Sequence, residues 1–251
     1  MTEPRLHVAA DLAEGVRVAL TVGQAHYLAS VLRRGPGDTV LLFNGRDGEW
    51  RARIAALSRR DGTVVPATPV RPQRDEPGPW LLAPVLRRET TEWLVEKACE
   101  LGAGRILLTT SARSAVLRTN PDRLAAIAVE AAEQCGRLTV PAIEPPAPLS
   151  RRLGDWPAER AVVFGDETRT APPFGEVLGR VPPGAALALL VGPEGGFDPG
   201  ELDGLRKLPF CLAASLGPRI LRAETAALAG LAVLQALAGD WRGPRADRPH
   251  A

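Results

Sequence analysis

Cysteine is scarce in this chain. The three present, Cys99, Cys135 and Cys211, follow no metal-ligand spacing and form no even disulfide set, so no metal site is expected and a reducing cytoplasm is. Long hydrophobic runs are missing as well. No stretch reaches the length of a membrane span, and residues 1–10 carry charge and proline without an apolar centre, so they do not read as a signal peptide. Lysine is almost absent: of 31 basic residues, only Lys97 and Lys207 are not arginine. That bias matches the richness in Ala, Gly and Pro and reads as base composition. Arginine forks suit phosphate, but a bias spread over the whole chain cannot locate a site. The chain has no Gly-x-Gly-x-x-Gly after a first strand and no Gly-Lys-Ser/Thr, which excludes the dinucleotide and P-loop fingerprints. No internal repeat is visible.

What remains is ordinary globular composition, 45% hydrophobic over 251 residues, enough for one large domain or a small and a large one. The net charge of +2 predicts no nucleic-acid binding by itself. Its distribution is uneven, because residues 1–74 hold 11 basic against 7 acidic side chains and the remainder 20 against 22. Residues 1–70 read as closely spaced short strands (16–22, 39–43, 50–57, 63–70) with one helix over 24–34 stopped by Gly35-Pro36-Gly37-Asp38. Turn pairs Asn44-Gly45, Asp47-Gly48 and Asp61-Gly62 lie between them, and a small barrel is expected. Residues 70–79 form a polar, proline-rich linker. The expected boundaries are 1–72, 73–240 and a disordered tail over 241–251.

After the linker, strands alternate with helices, the pattern of a parallel α/β sheet. Strands are expected over 80–86, 105–109 and 160–164. Helices are expected over 90–102 and from Asn120-Pro121-Asp122 to about 137. The last helix, 224–238, is apolar nearly all round and is expected to be buried in the core or at a subunit interface. Two further units are the most informative. The apolar run 186–191 leads into Gly192-Pro193-Glu194-Gly195-Gly196-Phe197, and 210–215 leads into Leu216-Gly217-Pro218-Arg219-Ile220-Leu221-Arg222-Ala223-Glu224-Thr225-Ala226. Strand, glycine-bearing loop and helix bring main-chain groups up to a ligand without side chains in the way. Two such loops point to one ligand gripped by main chain from two sides.

These loops, with Glu92-Trp93-Leu94-Val95-Glu96-Lys97-Ala98-Cys99-Glu100-Leu101-Gly102 and Glu130-Ala131-Ala132-Glu133-Gln134-Cys135-Gly136-Arg137 and Pro141 beyond, resemble the ribosomal small-subunit methyltransferase E family. That family belongs to the SPOUT class of S-adenosylmethionine-dependent RNA methyltransferases. The resemblance covers residues 4–240. It implies an α/β SPOUT-type parallel sheet with a C-terminal trefoil knot, preceded by a PUA-like RNA-binding β-barrel. It also implies a homodimer and methylation of uridine N3 in 16S ribosomal RNA of the small subunit. The implied S-adenosylmethionine pocket uses Val191, Gly192, Pro193, Glu194, Gly195 and Gly196 from the first loop. Leu216, Gly217, Ile220, Leu221 and Thr225 would serve it from the second. The family often carries a basic residue where Thr90 stands, with Arg87 and Arg88 nearby.

Attack by N3 requires an unpaired base, in-line alignment and loss of the N3 proton. A histidine would be the usual base, but His7, His26 and His250 all lie outside the α/β core. Carboxylates remain, or an arginine that stabilises negative charge on the uracil oxygens. Arg222 and Glu224 are the catalytic candidates; the other reading of the two is an ion pair bracing the loop. Glu194 reads as holding its loop, and Glu167 is a weaker candidate. Cys135 reads as a packed helix thiol. Arg33, Arg34, Arg87, Arg88, Arg113 and Arg137 are the RNA-contact candidates, with Arg51, Arg53, Arg59 and Arg60 in the barrel; only clustering on one face would make a footprint. Two other activities share the scaffold: ribose 2′-O-methylation of RNA, and RNA binding for assembly without catalysis.

Overall fold

The computed structural model describes residues 3–166, 168 and 171–242. The described chain forms two compact units, one comprising the N-terminal segment to Glu76 with Ala132–Val140, the other Pro77–Ala131 with residues 141–242.

In the first unit, β1 (Arg5–His7), β2 (Val18–Ala19), β3 (Thr39–Phe43), β4 (Glu49–Leu57) and β5 (Gly62–Arg71) make one curled half-barrel sheet of order β1-β3-β4-β5-β2. Along β4, buried Glu49, Ala52 and Ile54 interleave with exposed Arg51, Arg53 and Ala55, the alternation of a strand with one wet face. Leu6, Leu28, Leu42, Ile54 and Val64 fill the inside. The strand expected over 16–22 shrinks to Val18–Ala19, because Thr21 leaves the sheet to cap a helix. It makes a reciprocal capping box with Gln24. The helix itself, α1 (Val22–His26), widens into a π-helical turn, Tyr27–Val31, and ends with Arg33 at φ 54°.

In the second unit, β6 (Trp80–Pro84), β7 (Arg105–Thr110), β8 (Ala142–Pro148), β9 (Arg160–Gly165), β10 (Ala186–Leu190) and β11 (Cys211–Ala214) form a six-stranded sheet of order β11-β9-β10-β6-β7-β8, parallel throughout. Between them run α2 (Arg88–Glu100), α3 (Pro121–Cys135), α4 (Leu149–Gly154), α5 (Phe174–Gly179) and α6 (Pro199–Lys207), with α7 (Ala223–Ala238) after β11. The central strands are apolar on both faces, as a sheet covered by helices requires: Leu81, Leu82 and Ala83 in β6, Leu189 and Leu190 in β10. The proline-bearing β8 (Pro145, Pro146, Pro148) occupies the edge, where missing N–H donors are tolerated. From β6 the chain builds outward through β7 to β8, then crosses over and places β10 against the other side of β6. The strand order reverses there, and open parallel sheets bind ligands at the carboxyl ends of strands beside such a point.

Candidate active site

The carboxyl ends of β9, β10 and β11 open onto a cavity of about 600 Å³. Gly165 ends β9 and Asp166 follows it, the first glycine loop follows β10, and the second follows β11.

The first loop begins at buried Val191. Gly196 N–H closes a turn on Pro193 C=O at 2.8 Å, and Phe197 folds back into the core at 4% exposure. A Cβ at Gly192 would stand 3.0 Å from the Phe197 ring, so the glycine permits this return. Asp198 and Glu201 then cap α6 reciprocally; Glu201 also accepts Ala112 N–H at 2.9 Å, and Arg113 donates to Gly195 C=O at 3.1 Å. The turn after β7 therefore holds this loop from outside.

The second loop is held more lightly. Gly217 adopts φ 107°, and its N–H donates to Ser215 Oγ at 3.3 Å. Between Leu216 and Leu221 this is the only main-chain N–H that donates to a described residue. Main-chain donors that no described residue engages, beside an apolar strip of Leu216, Ile220 and Leu221, are what a ligand with a polar purine edge and an apolar ring face needs. Ile220 is 80% exposed, an apolar side chain held out where a ligand would cover it. The pocket's residues thus fit a nucleoside cofactor by their own chemistry.

Val191, Gly192, Pro193, Glu194, Gly196, Leu216, Gly217, Ile220 and Leu221 all line the cavity, as do Arg222 and Glu224. Gly195 instead packs against Arg113, and Thr225 lies outside the wall, on the exposed side of α7. Arg222 and Glu224 form no ion pair among the described residues, so the bracing arrangement is not the one adopted; Arg222 is exposed at the N-cap of α7 and Glu224 is half-buried in its first turn. Asp166 is a wall residue that sequence reasoning missed. Its carboxylate is buried, which works against ionisation, but Thr168 and Arg206 hydrogen-bond to it and bring its pKa below the ordinary value. The signal available was its place just after a strand. Glu167 lies outside the described residues.

The arginines separate sharply. Arg87 lines the cavity. Arg88 is paired with Glu92 at 2.8 Å on the surface of α2, and Arg113 serves the first loop. Arg33 and Arg34 sit beyond the π-helical turn of the first unit, Arg33 exposed. Arg137 is not a surface residue: it is 8% exposed, with its guanidinium against Glu76 and Thr139. A buried guanidinium held this way cannot reach a phosphate. No group of three or more His, Cys, Asp or Glu among the described residues could hold a metal.

Residues 77–235 match the family of RNA methyltransferase domains, and residues 20–66 match the RNA methyltransferase PUA domain. The ribosomal RNA small subunit methyltransferase E of Synechocystis is 32% identical over 93% of this chain and 77% of its own length. The chain belongs to the ribosomal RNA small subunit methyltransferase E family. Its Rickettsia conorii member is 27% identical, with 93% and 95% of the two chains covered. Among solved structures, the Neisseria gonorrhoeae member of the family, bound to S-adenosyl methionine, superposes with a TM-score of 0.84 at 28% identity, covering 94% of this chain and 98% of that one. A Legionella pneumophila protein in complex with the same cofactor gives 0.85 at 27%, covering 96% of this chain and 100% of that one.

Proposed function

We propose that the protein transfers the methyl group of S-adenosylmethionine to N3 of a uridine in 16S ribosomal RNA. One observation carries this reading: residues of both family loops wall one cavity, and Arg222 and Glu224 stand on it with no ion pair between them. The loops 191–197 and 216–221 would hold the cofactor, through their free main-chain groups and the apolar strip. When bound, S-adenosylmethionine supplies a methyl group activated by a sulfonium and departs as the neutral thioether.

The protein's part is alignment and charge. N3 forms its bond to the methyl carbon only when its proton is removed, because the lone pair must lie in line with the breaking C–S bond. Of the acids on the wall, Asp166 is occupied by Arg206 and Thr168, and Glu194 is exposed. Glu224, half-buried and unpaired, is the group that accepts the N3 proton in this reading. Arg222 faces the uracil oxygens and stabilises the negative charge that spreads onto O2 and O4 as the proton leaves. The base must be unpaired and turned out of its stack to enter.

The same reading makes the enzyme cytoplasmic, homodimeric and knotted through the two loops. The dimer finds support in α7 and the turn after it, where Leu237 and Trp241 are 46% and 54% exposed. Apolar side chains of that size at one end of a helix suit burial against a second copy.

The test is transfer of a labelled methyl group to small ribosomal subunits lacking their own modifications, followed by nucleoside analysis. Labelled 3-methyluridine is expected. A 2′-O-methylated nucleoside would overturn the N3 assignment, and absence of label with cofactor binding intact would overturn the choice of RNA.

A further inference from the structure

The cavity carries more positive charge at its mouth than the cofactor and one uracil require. Arg87, Arg219 and Arg222 all line it, all three are exposed, and no acidic partner within 4.0 Å holds any of them among the described residues. Neighbouring arginines are engaged: Arg88 with Glu92 at 2.8 Å, Arg206 with Asp166 at 2.7 Å, Arg123 with Glu92 at 3.4 Å, and Arg113 with Gly195 C=O at 3.1 Å. The unpaired guanidiniums also come from different elements. Arg219 and Arg222 belong to the loop after β11, whereas Arg87 precedes α2. On the α2 side the wall offers only Arg87 and the neutral Thr90, so Arg87 is that side's cation.

Arg222 is accounted for at the reacting base, which leaves Arg87 and Arg219 without a role. The geometry points to a phosphate-binding subsite at the mouth of the cavity, formed by Arg87 and Arg219, that takes a backbone phosphate flanking the target nucleotide in single-stranded RNA. The inference rests on the RNA methyl-transfer reading. A base turned into a cavity leaves its sugar and flanking phosphates at the rim, and guanidinium forks are suited to phosphate oxygens. The other anion that could reach these arginines is the carboxylate of the cofactor, and the experiment separates the two.

Arg87→Gln, Arg219→Gln and the double variant are compared with the unaltered enzyme. Three quantities are read: S-adenosylmethionine affinity by calorimetry, kcat and KM for methyl transfer to unmodified small-subunit RNA, and the salt dependence of binding to a single-stranded RNA spanning the methylated uridine. Both residues are exposed, so the thermal midpoint checks that the fold is unchanged. The subsite predicts cofactor affinity within twofold, an RNA KM raised about tenfold for each lost charge-assisted contact, and kcat lowered far less than KM is raised. The slope of log affinity against log salt should fall by about 0.7 for each arginine removed. Replacing the flanking phosphate by a neutral methylphosphonate should weaken binding to the unaltered enzyme and leave the double variant indifferent.

Unchanged RNA KM and salt slope would overturn the subsite. So would a loss of cofactor affinity with RNA binding intact, which would assign the arginines to the cofactor's carboxylate. If the unaltered enzyme transfers no methyl group to RNA, the functional reading fails, while the salt slopes and the methylphosphonate comparison still decide whether the arginines hold a phosphate.

Discussion

Arg222 is exposed, unpaired and on the cavity wall, so its removal changes charge and leaves packing alone. Arg222→Ala should bind S-adenosylmethionine as before and lose about 100-fold in kcat, the scale of one lost oxyanion donor; calorimetry with single-turnover transfer checks both. The thiols make the opposite case. Cys211 is buried, and burial alone pushes its pKa to about 12, so at neutral pH it is a protonated thiol and a poor nucleophile. Cys135, at the end of α3, is half-buried against its own helix, with Sγ near Ala132 C=O. N3 methylation uses no covalent enzyme intermediate, so Cys135→Ser should keep activity within about twofold. A folded but inactive Cys135→Ser enzyme would speak for a thiol nucleophile and against N3 as the methylated atom. Which residues belong to the glycine loops was legible at this scale, because each glycine answers a local backbone need. The burial of Arg137 was not, since the Glu76 that holds it lies 61 residues away.

At the scale of elements, α6 begins at the end of the first glycine loop, so its cap also fixes the loop's exit. Asp198 accepts Gly200 N–H at 2.9 Å, and Glu201 returns to Asp198 N–H at 2.9 Å. Asp198→Ala should cost about 1 kcal/mol of stability by loss of the cap. It should also weaken cofactor binding, measured by calorimetry beside urea unfolding; normal affinity in a destabilised variant would mean that the turn after β7 suffices to hold the loop. The strong elements were readable from apolar runs and turn residues, including α2, α3 and α7 to within a few residues. The short ones were not. Each of α4 and α5 has six residues, too few for a helical period to stand out, and β8 is rich in proline, which argues against a strand except at an edge.

At the scale of the whole molecule, charge is buried as well as displayed. In the first unit, fully buried Glu49 takes hydrogen bonds from Arg5 and from Arg71, the latter at 2.8 and 2.9 Å. The same two arginines reach the carbonyls of Ala132, Glu133, Gly136 and Arg137, which the end of α3 leaves without helical partners. Burial raises the pKa of Glu49, but the bonds from Arg71 and Arg5 outweigh it and the net shift is downward. A lowered carboxylate pKa contributes stability above the unfolded value, about 4.3, and that contribution is lost as pH falls through the folded one. Glu49→Gln should therefore cost about 3–5 kcal/mol at pH 7, the scale for breaking a buried ion pair. The gap from the unaltered protein should narrow below pH 4.3, as urea unfolding at several pH values would show. For the proposed dimer, sedimentation equilibrium should give twice the chain mass of 26.7 kDa. Leu237→Glu should shift that equilibrium towards the monomer; an unaffected dimer would place the interface elsewhere.

The sequence by itself determined the alternation of strands and helices, the place of the two glycine loops and the family, because these depend on neighbours along the chain: apolar periodicity, turn residues and motif spacing. Tertiary structure alone decided which arginines are free. Arg87, Arg88, Arg113 and Arg137 look alike in sequence, yet one lines the cavity, one is paired along its helix, one holds a loop and one is buried. It also brought Asp166 to the wall, and it kept Arg222 and Glu224 apart. The availability of a charge depends on what stands within a few ångströms of it, and for most of these residues those neighbours are far away in the chain.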